Sequence, residues 1–232
     1  INLTVHAGER IGIVGPNGAG KTTFVNIVTG YIKPTQGSVL YLDTDLTQLS
    51  PRQIAQMGIT RSFQIPQLYT SLRLVENVML ALASRQRASL DFWNPLRQKA
   101  WESEALEILE GFGLRQYADQ PVNILPEGGR KLADIALAFA LKPRLLFLDE
   151  PTSGVSMHDK FGVMDTLIET LERSGVTTIF IEHDMDVVYR YAERVLVFNE
   201  GRIVADGDPQ SLFADAEIRR AVIGWSYKQP EG

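Results

Sequence analysis

The chain contains no cysteine, which excludes disulfides and thiolate-ligated metals and is compatible with a reducing cytoplasm. No apolar run approaches the ~20 residues that a membrane-spanning helix needs, so any membrane contact must be peripheral. An excess of basic charge is also missing. The net charge of −5 argues against nucleic acid as the main partner, since phosphate backbones are gripped by concentrated Lys and Arg. No signal peptide, internal repeat or low-complexity tract is visible. The chain begins at Ile1, without methionine and already in strand-like sequence, and is read as lacking residues upstream. Its 232 residues suffice for one large or two small domains, and the 44% apolar and 22% charged fractions suit a soluble globular protein.

One stretch carries most of the chemistry. Gly15-Pro16-Asn17-Gly18-Ala19-Gly20-Lys21-Thr22 fits G-x-x-x-x-G-K-[ST], the phosphate-cradling loop of nucleotide triphosphatases. Arg10-Ile11-Gly12-Ile13-Val14 ahead of it reads as a buried strand, and Thr22 to Thr29 behind it as a helix ended by Gly30. The glycines let backbone N–H groups turn toward phosphate oxygens, and the helix N-terminus favours anions. Lys21 supplies a mobile cation, the Thr22 hydroxyl can ligate magnesium, and Thr23 extends the same helix start.

The rest of the chain alternates between strand and helix. Residues 1–14 read as two strands about an Ala7-Gly8-Glu9 turn, and Gly37 to Asp43 as another strand. Ser50-Pro51-Arg52-Gln53 resembles a capped helix start. Residues from about 70 to 140 show helical patterns and no convincing strand. Val75 to Ala83 is one helix and Lys99 to Gly111 another, with Trp101, Ala105, Ile108 and Leu109 on one face; Ser89 to Pro95 lies between them as a loop. Leu145 to Leu148 and Val176 to Ile181 are strands. Asp159 to Arg173 and Asp184 to Ala192 are helices. A hairpin joins Val195–Phe198 to Arg202–Ala205 across Asn199-Glu200-Gly201, and the tail from Pro209 starts helical. This rhythm implies an α/β fold with a mostly parallel sheet and a helical insertion. One domain spans 1–232: a core of 1–69 and 141–208, a helical subdomain of about 70–140, and a tail of 209–232.

Further polar groups fall at strand ends. In open parallel sheets, ligands sit beyond the carboxyl ends of the strands. Asp149 and Glu150 close an apolar strand, so Asp149 can hold magnesium and Glu150 can orient or deprotonate an attacking water. Following a phosphate loop, this pair signals more than a helix cap. His183 closes another strand, and Gln64 sits at the entry to the helical insertion. Glu182 is read as a packing or capping residue.

These pieces, in this order, resemble the nucleotide-binding subunit of an ATP-binding cassette (ABC) transporter. The likeness covers nearly the whole chain. Finer features resemble the subunits of branched-chain amino-acid uptake systems: Gly58 to Gln64, the extended 84–100 segment, Ile181-Glu182-His183-Asp184-Met185 and Val222-Ile223-Gly224. The resemblance implies a P-loop ABC ATPase core with an antiparallel β subdomain and an inserted α-helical subdomain. It implies ATP and Mg2+ as ligands, with Lys21 and the loop amides on the β- and γ-phosphates. Thr22, Asp149 and Gln64 would serve magnesium, Glu150 would polarise water, and His183 would contact the γ-phosphate. It also implies a head-to-tail dimer of two cassettes on the cytoplasmic face of the inner membrane. The inserted helices would dock on a transmembrane permease fed by an extracytoplasmic solute-binding protein.

Three departures from the family pattern matter. The signature, usually Leu-Ser-Gly-Gly-Gln, corresponds here to Leu125-Pro126-Glu127-Gly128-Gly129. Pro126 removes a hydroxyl and an N–H, and Glu127 sets an anion where phosphate is expected. One reading is slow or absent hydrolysis of the partner's ATP, and hence a heterodimer with a sister cassette. The other is that the motif merely caps the helix starting near Gly129. Ser156 stands where an aspartate is usual. An adenine-stacking aromatic would precede residue 1.

The leading expectation is an ATPase that powers solute import. A nucleotide-binding regulatory module and a soluble ABC ATPase acting on ribosomes or DNA stay open, although tandem cassettes, long coiled coils and basic faces are missing. No Asn-Lys-x-Asp guanine-reading motif is present.

Overall fold

The computed structural model describes residues 1–62, 68–85, 95–216 and 218. The elements run β1 Arg10–Val14, α1 Lys21–Val28, β2 Leu40–Tyr41, β3 Thr44–Asp45, α2 Pro51–Gln56 and β4 Ile59–Arg61. There follow α3 Leu74–Arg85, α4 Pro95–Gly111, α5 Glu127–Ala140, β5 Leu145–Asp149, α6 Lys160–Arg173 and β6 Thr177–Ile181. The last are α7 Met185–Tyr191, β7 Arg194–Asn199, β8 Arg202–Gly207 and α8 Pro209–Ala214. No described helix is long and apolar enough to cross a membrane.

The main sheet has the order β4-β5-β6-β1-β7-β8, parallel throughout except for the antiparallel β7–β8 hairpin. Its central strands are apolar on both faces because helices cover both. Ile11, Ile13, Phe147, Ile179, Ile181, Leu196 and Phe198 share one buried cluster with Val25 of α1 and Ile54 of α2. Val14, Leu146, Leu148, Phe180, Val195 and Val197 join the opposite cluster with α5, α6 and α7. Gly12 lies where α7 presses closest, since a Cβ there would sit 3.0 Å from Val188.

Three expectations about strands need correction. Residues 1–9 form no strand, although Leu3 and Val5 pack against the α1-side core. The strand expected over 37–43 shrinks to Leu40–Tyr41, paired only with Thr44–Asp45 as a separate two-stranded ribbon. A two-residue ladder buries little, and Leu40 and Leu42 stay exposed. β4 was unforeseen, for three residues give no periodicity to read. The loop expected over 89–95 and the Val222-Ile223-Gly224 segment lie outside the described residues, apart from Pro95, which begins α4.

The insertion is helical, as its pattern requires. Trp101, Ala105 and Leu109 of α4 are buried in the core shared with Leu74, Val78 and Leu82 of α3 and with the apolar face of α5. Arg85 ties the end of α3 to Glu104 on α4, with Nη1–Oε1 and Nη2–Oε2 both at 3.0 Å, and donates to Ala140 O at 2.9 Å. Short 3₁₀ turns at Arg115–Tyr117 and Val122–Ile124 lead into α5. The start of α2 is a reciprocal cap. Ser50 N donates to Gln53 Oε1 at 2.9 Å, and Gln53 N donates back to Ser50 Oγ at 3.4 Å.

Candidate functional site

Strand register gathers the site. Ile181 of β6 pairs with Ile13 of β1 on one side and with Asp149 of β5 on the other. The carboxyl ends of these three neighbouring strands therefore lie abreast. The chain leaves β1 into the phosphate loop, β5 into Glu150, and β6 into Glu182 and His183.

The phosphate loop uses its glycines for geometry. Gly15, Gly18 and Gly20 have φ of +147°, +80° and +98°, a region that side chains resist. At Gly15 the constraint is also steric, because a Cβ would lie 2.2 Å from Phe198 O. Ala19 N–H closes a turn on Pro16 O at 3.1 Å, and Ala19 O accepts from Gly201 N–H at 2.9 Å. The β7–β8 turn thus props the loop from behind. Pro16, Asn17, Gly18, Thr22 and Thr23 are exposed, whereas Lys21 is buried and folds back onto Gly15 O and Pro16 O. Burial pushes the Lys21 ammonium below its ordinary value of 10.5. The carboxylates of Glu150 and Asp149 act against that shift. Their influence marks the convergence of one cation with two acids.

Asp149 projects to the α1 side of the sheet, like Phe147 two residues before it. Its Oδ2 ion-pairs with Arg61 Nη2, while Arg61 Nη1 donates to Asn26 Oδ1 of α1 at 2.6 Å. Glu150 has φ +49° although Pro151 follows, so its backbone departs from two local preferences at once. Strain of this kind is characteristic of functional positions, at about 1–3 kcal/mol each. Glu150 N–H donates to Ile181 O at 2.9 Å, and Lys131 Nζ reaches Glu150 O at 3.4 Å. The carboxylate meets His183, Nε2 to Oε1, at 3.2 Å.

Glu182 is buried and structural. Its Oε1 accepts from Thr152 N at 2.9 Å and Thr152 Oγ1 at 2.7 Å, and its Oε2 accepts from His183 N at 3.2 Å. Burial raises its pKa and these hydrogen bonds oppose the rise. Asp184, on the far side of His183, caps α7 through Oδ1 and holds Lys160 of α6 through Oδ2. Both neighbours of His183 therefore grip the segment after the acids.

Leu125 is buried, and Pro126 caps α5 with no side-chain hydrogen bond. That helix starts at Glu127 rather than near Gly129. Glu127 is exposed at its first turn, with its carboxylate laid over Gly154, where a Cβ would sit 2.2 Å from Oε1. Gly128 and Gly129 follow, Gly128 close to Val163 of α6. Ser156 Oγ accepts from Asp159 N at 3.2 Å and donates to Asp159 Oδ2 at 2.7 Å, so it caps the approach to α6. Gln64 lies outside the described residues. Arg61 and Lys131 were missed by sequence reasoning. The only hint was a cation placed among residues that pattern as buried.

The donor set suits a hard divalent cation, with a hydroxyl on Thr22 and a carboxylate on Asp149. Among the described residues no group of three or more His, Asp or Glu side chains could hold a metal by itself. Nucleotide oxygens would have to complete such a shell.

A glycine loop between a central parallel strand and its helix, faced by an acid pair from a neighbouring strand, defines a P-loop nucleotide triphosphatase. The chain belongs to the ABC transporter family, whose model matches residues 1–153. It is 33% identical, over 97% of its length and 90% of the relative, to LivG of Escherichia coli K12, a high-affinity branched-chain amino acid transport ATP-binding protein. Its fold is similar to that of MJ1267, an ATP-binding cassette of an ABC transporter, with TM-score 0.82 and 29% identity, covering 94% of this chain and 89% of that one. It is also similar to the ATP-binding cassette MJ0796 in a dimeric post-hydrolysis state with ADP and Pi, with TM-score 0.75 and 27% identity over 90% and 89%. The protein is accordingly a nucleotide-binding ABC ATPase.

Proposed function

We propose that this chain is the ATP-hydrolysing subunit of an importer for a small solute of the branched-chain or related amino-acid class, acting through a separate permease. The convergence of Lys21, Asp149, Glu150 and His183 at one sheet edge carries the catalytic half of this reading. The likeness to LivG over nearly the full length supports the substrate class.

In this reading Lys21 and the backbone of Gly15 to Thr23 hold the β- and γ-phosphates, and Lys21 exchanges its carbonyl partners for phosphate oxygens. Thr22, Asp149 and Gln64 would hold magnesium, which would supply positive charge against the phosphate oxygens. Glu150 orients water for attack on the γ-phosphate, and His183 fixes the Glu150 carboxylate and contacts the same phosphate. Leu125 to Gly129 faces the nucleotide of a second cassette in a head-to-tail dimer, a sister chain in the heterodimeric form. The dimeric MJ0796 structure supports assembly as a dimer. The helical subdomain of about 70–140, inserted between core segments 1–69 and 141–208, docks on the permease at the cytoplasmic face, and a solute-binding protein delivers cargo from outside. Closing and loosening of the dimer transmit the work.

Membrane fractionation tests this reading. Co-expressed with permease genes from its own locus, the chain should sediment with membranes and support labelled leucine uptake. A chain that stays in the supernatant beside an inserted permease would refute it. A second reading, a regulatory nucleotide-binding subunit, is favoured by Pro126 and Glu127 in the signature.

A further inference from the structure

Arg61 is a fixed cation in contact with a proposed magnesium ligand. It ends β4 in register with Phe147, which puts it on the α1 side of the sheet next to Asp149. The pair is sheltered, with side-chain exposures of 13% for Arg61 and 9% for Asp149. A guanidinium does not lose its proton, so the positive charge is permanent. Its position is anchored twice. Asn26 of α1 accepts from Nη1, and Ser62 N–H donates to Phe147 O at 2.9 Å just beyond β4. Arg61 Nε is buried with no hydrogen-bond partner among the described residues. A desolvated donor without compensation is costly, so the ion pair with Asp149 and the hydrogen bond to Asn26 must together offset it.

We propose that Arg61 is a standing counter-charge that lowers the affinity of the Asp149–Glu150 acids for free divalent cations, so that metal is held only together with a nucleotide polyphosphate. The inference rests on the nucleotide-site reading above. Two adjacent carboxylates and the Thr22 hydroxyl are the oxygens a hard cation seeks. Against them stand Arg61, touching Asp149, and Lys21, which feels both acids. A divalent ion is repelled by each of these with twice the force a monovalent ion would feel. A polyphosphate brings several negative charges at once, engages Lys21 and reverses the balance. Arg61 contacts Asp149 through Oδ2 alone, so the carboxylate is neutralised without being enclosed.

The test is Mn2+ binding to the protein without nucleotide, read by electron paramagnetic resonance, for wild type, Arg61→Met, Arg61→Gln and Arg61→Lys. The two neutral variants should bind Mn2+ about tenfold more tightly, the effect of removing one unit charge within a few ångströms of a divalent ion even at water's dielectric. Arg61→Lys should match wild type, and adding Asp149→Asn to Arg61→Met should abolish the gain. Unchanged or weaker Mn2+ binding in both neutral variants would overturn the proposal. A fluorescent ATP analogue with Mg2+ is titrated in parallel. If wild type fails to bind it, the nucleotide-site reading fails instead, and the two failures are told apart.

Discussion

His183 Nε2 lies 3.2 Å from Glu150 Oε1, joining the ends of two adjacent strands across the sheet edge. The contact fixes the orientation of a carboxylate that its own strained backbone has already turned away from β5. In a hydrolytic site, that orientation decides whether a water is held in line with the γ-phosphate.

Glu150→Gln should leave nucleotide binding intact and lower the hydrolysis rate by about 10²-fold or more, the usual contribution of a positioned general base. Phosphate release and nucleotide titration on the same preparation check it. Full transport by this variant would favour the regulatory reading.

Gly15→Ala should destabilise the protein by about 2–4 kcal/mol, since positive φ and a clash with Phe198 O act together. Gly18→Ala meets no atom within 4 Å, so only the backbone preference of about 1–2 kcal/mol applies. Urea unfolding of the two variants should rank them in that order. Equal losses would mean that the Phe198 carbonyl of β7 is not what constrains Gly15.

Glu182 gives the stability a pH dependence of known sign. Its folded pKa is raised above the ordinary 4.5 by burial. The unfolded chain therefore releases the proton first, and stability falls as pH climbs from 4.5 through the raised value. Glu182→Gln should flatten that part of the curve. Unfolding free energies measured from pH 4.5 to 7 would show it, and parallel curves for the two proteins would contradict it.

The signature can be restored by combining Pro126→Ser with Glu127→Gly. If Leu125 to Gly129 completes a partner's nucleotide site, turnover of the assembled complex should rise several-fold, as a missing donor returns and an opposed anion leaves. Unchanged turnover would leave the segment as a helix cap, consistent with its place at the start of α5.

The site's skeleton was legible because each half is a local pattern. Apolar runs end at Val14, Leu148 and Ile181, and strand-end chemistry follows directly in the sequence. What brings the ends together is register, which no single run encodes. Arg61 was hidden for the same reason: its partner Asp149 is a neighbour only through the β4–β5 ladder, and β4 is too short to announce itself. The expected strand over 37–43 failed in the opposite way. Its pattern was adequate, but only Leu40 and Tyr41 enter a ladder, and so short a ladder does not hold a longer strand.

The prop beneath the phosphate loop makes the motif non-transferable. Phe198 O and Gly201 N–H come from the far end of the chain, and they dictate the shape that Gly15 and Ala19 adopt. A fragment that kept every letter of residues 15–22 but stopped short of the closing hairpin would carry the consensus without the cradle. Grafting the octapeptide into another sheet would succeed only where a host carbonyl and amide stand in those two places.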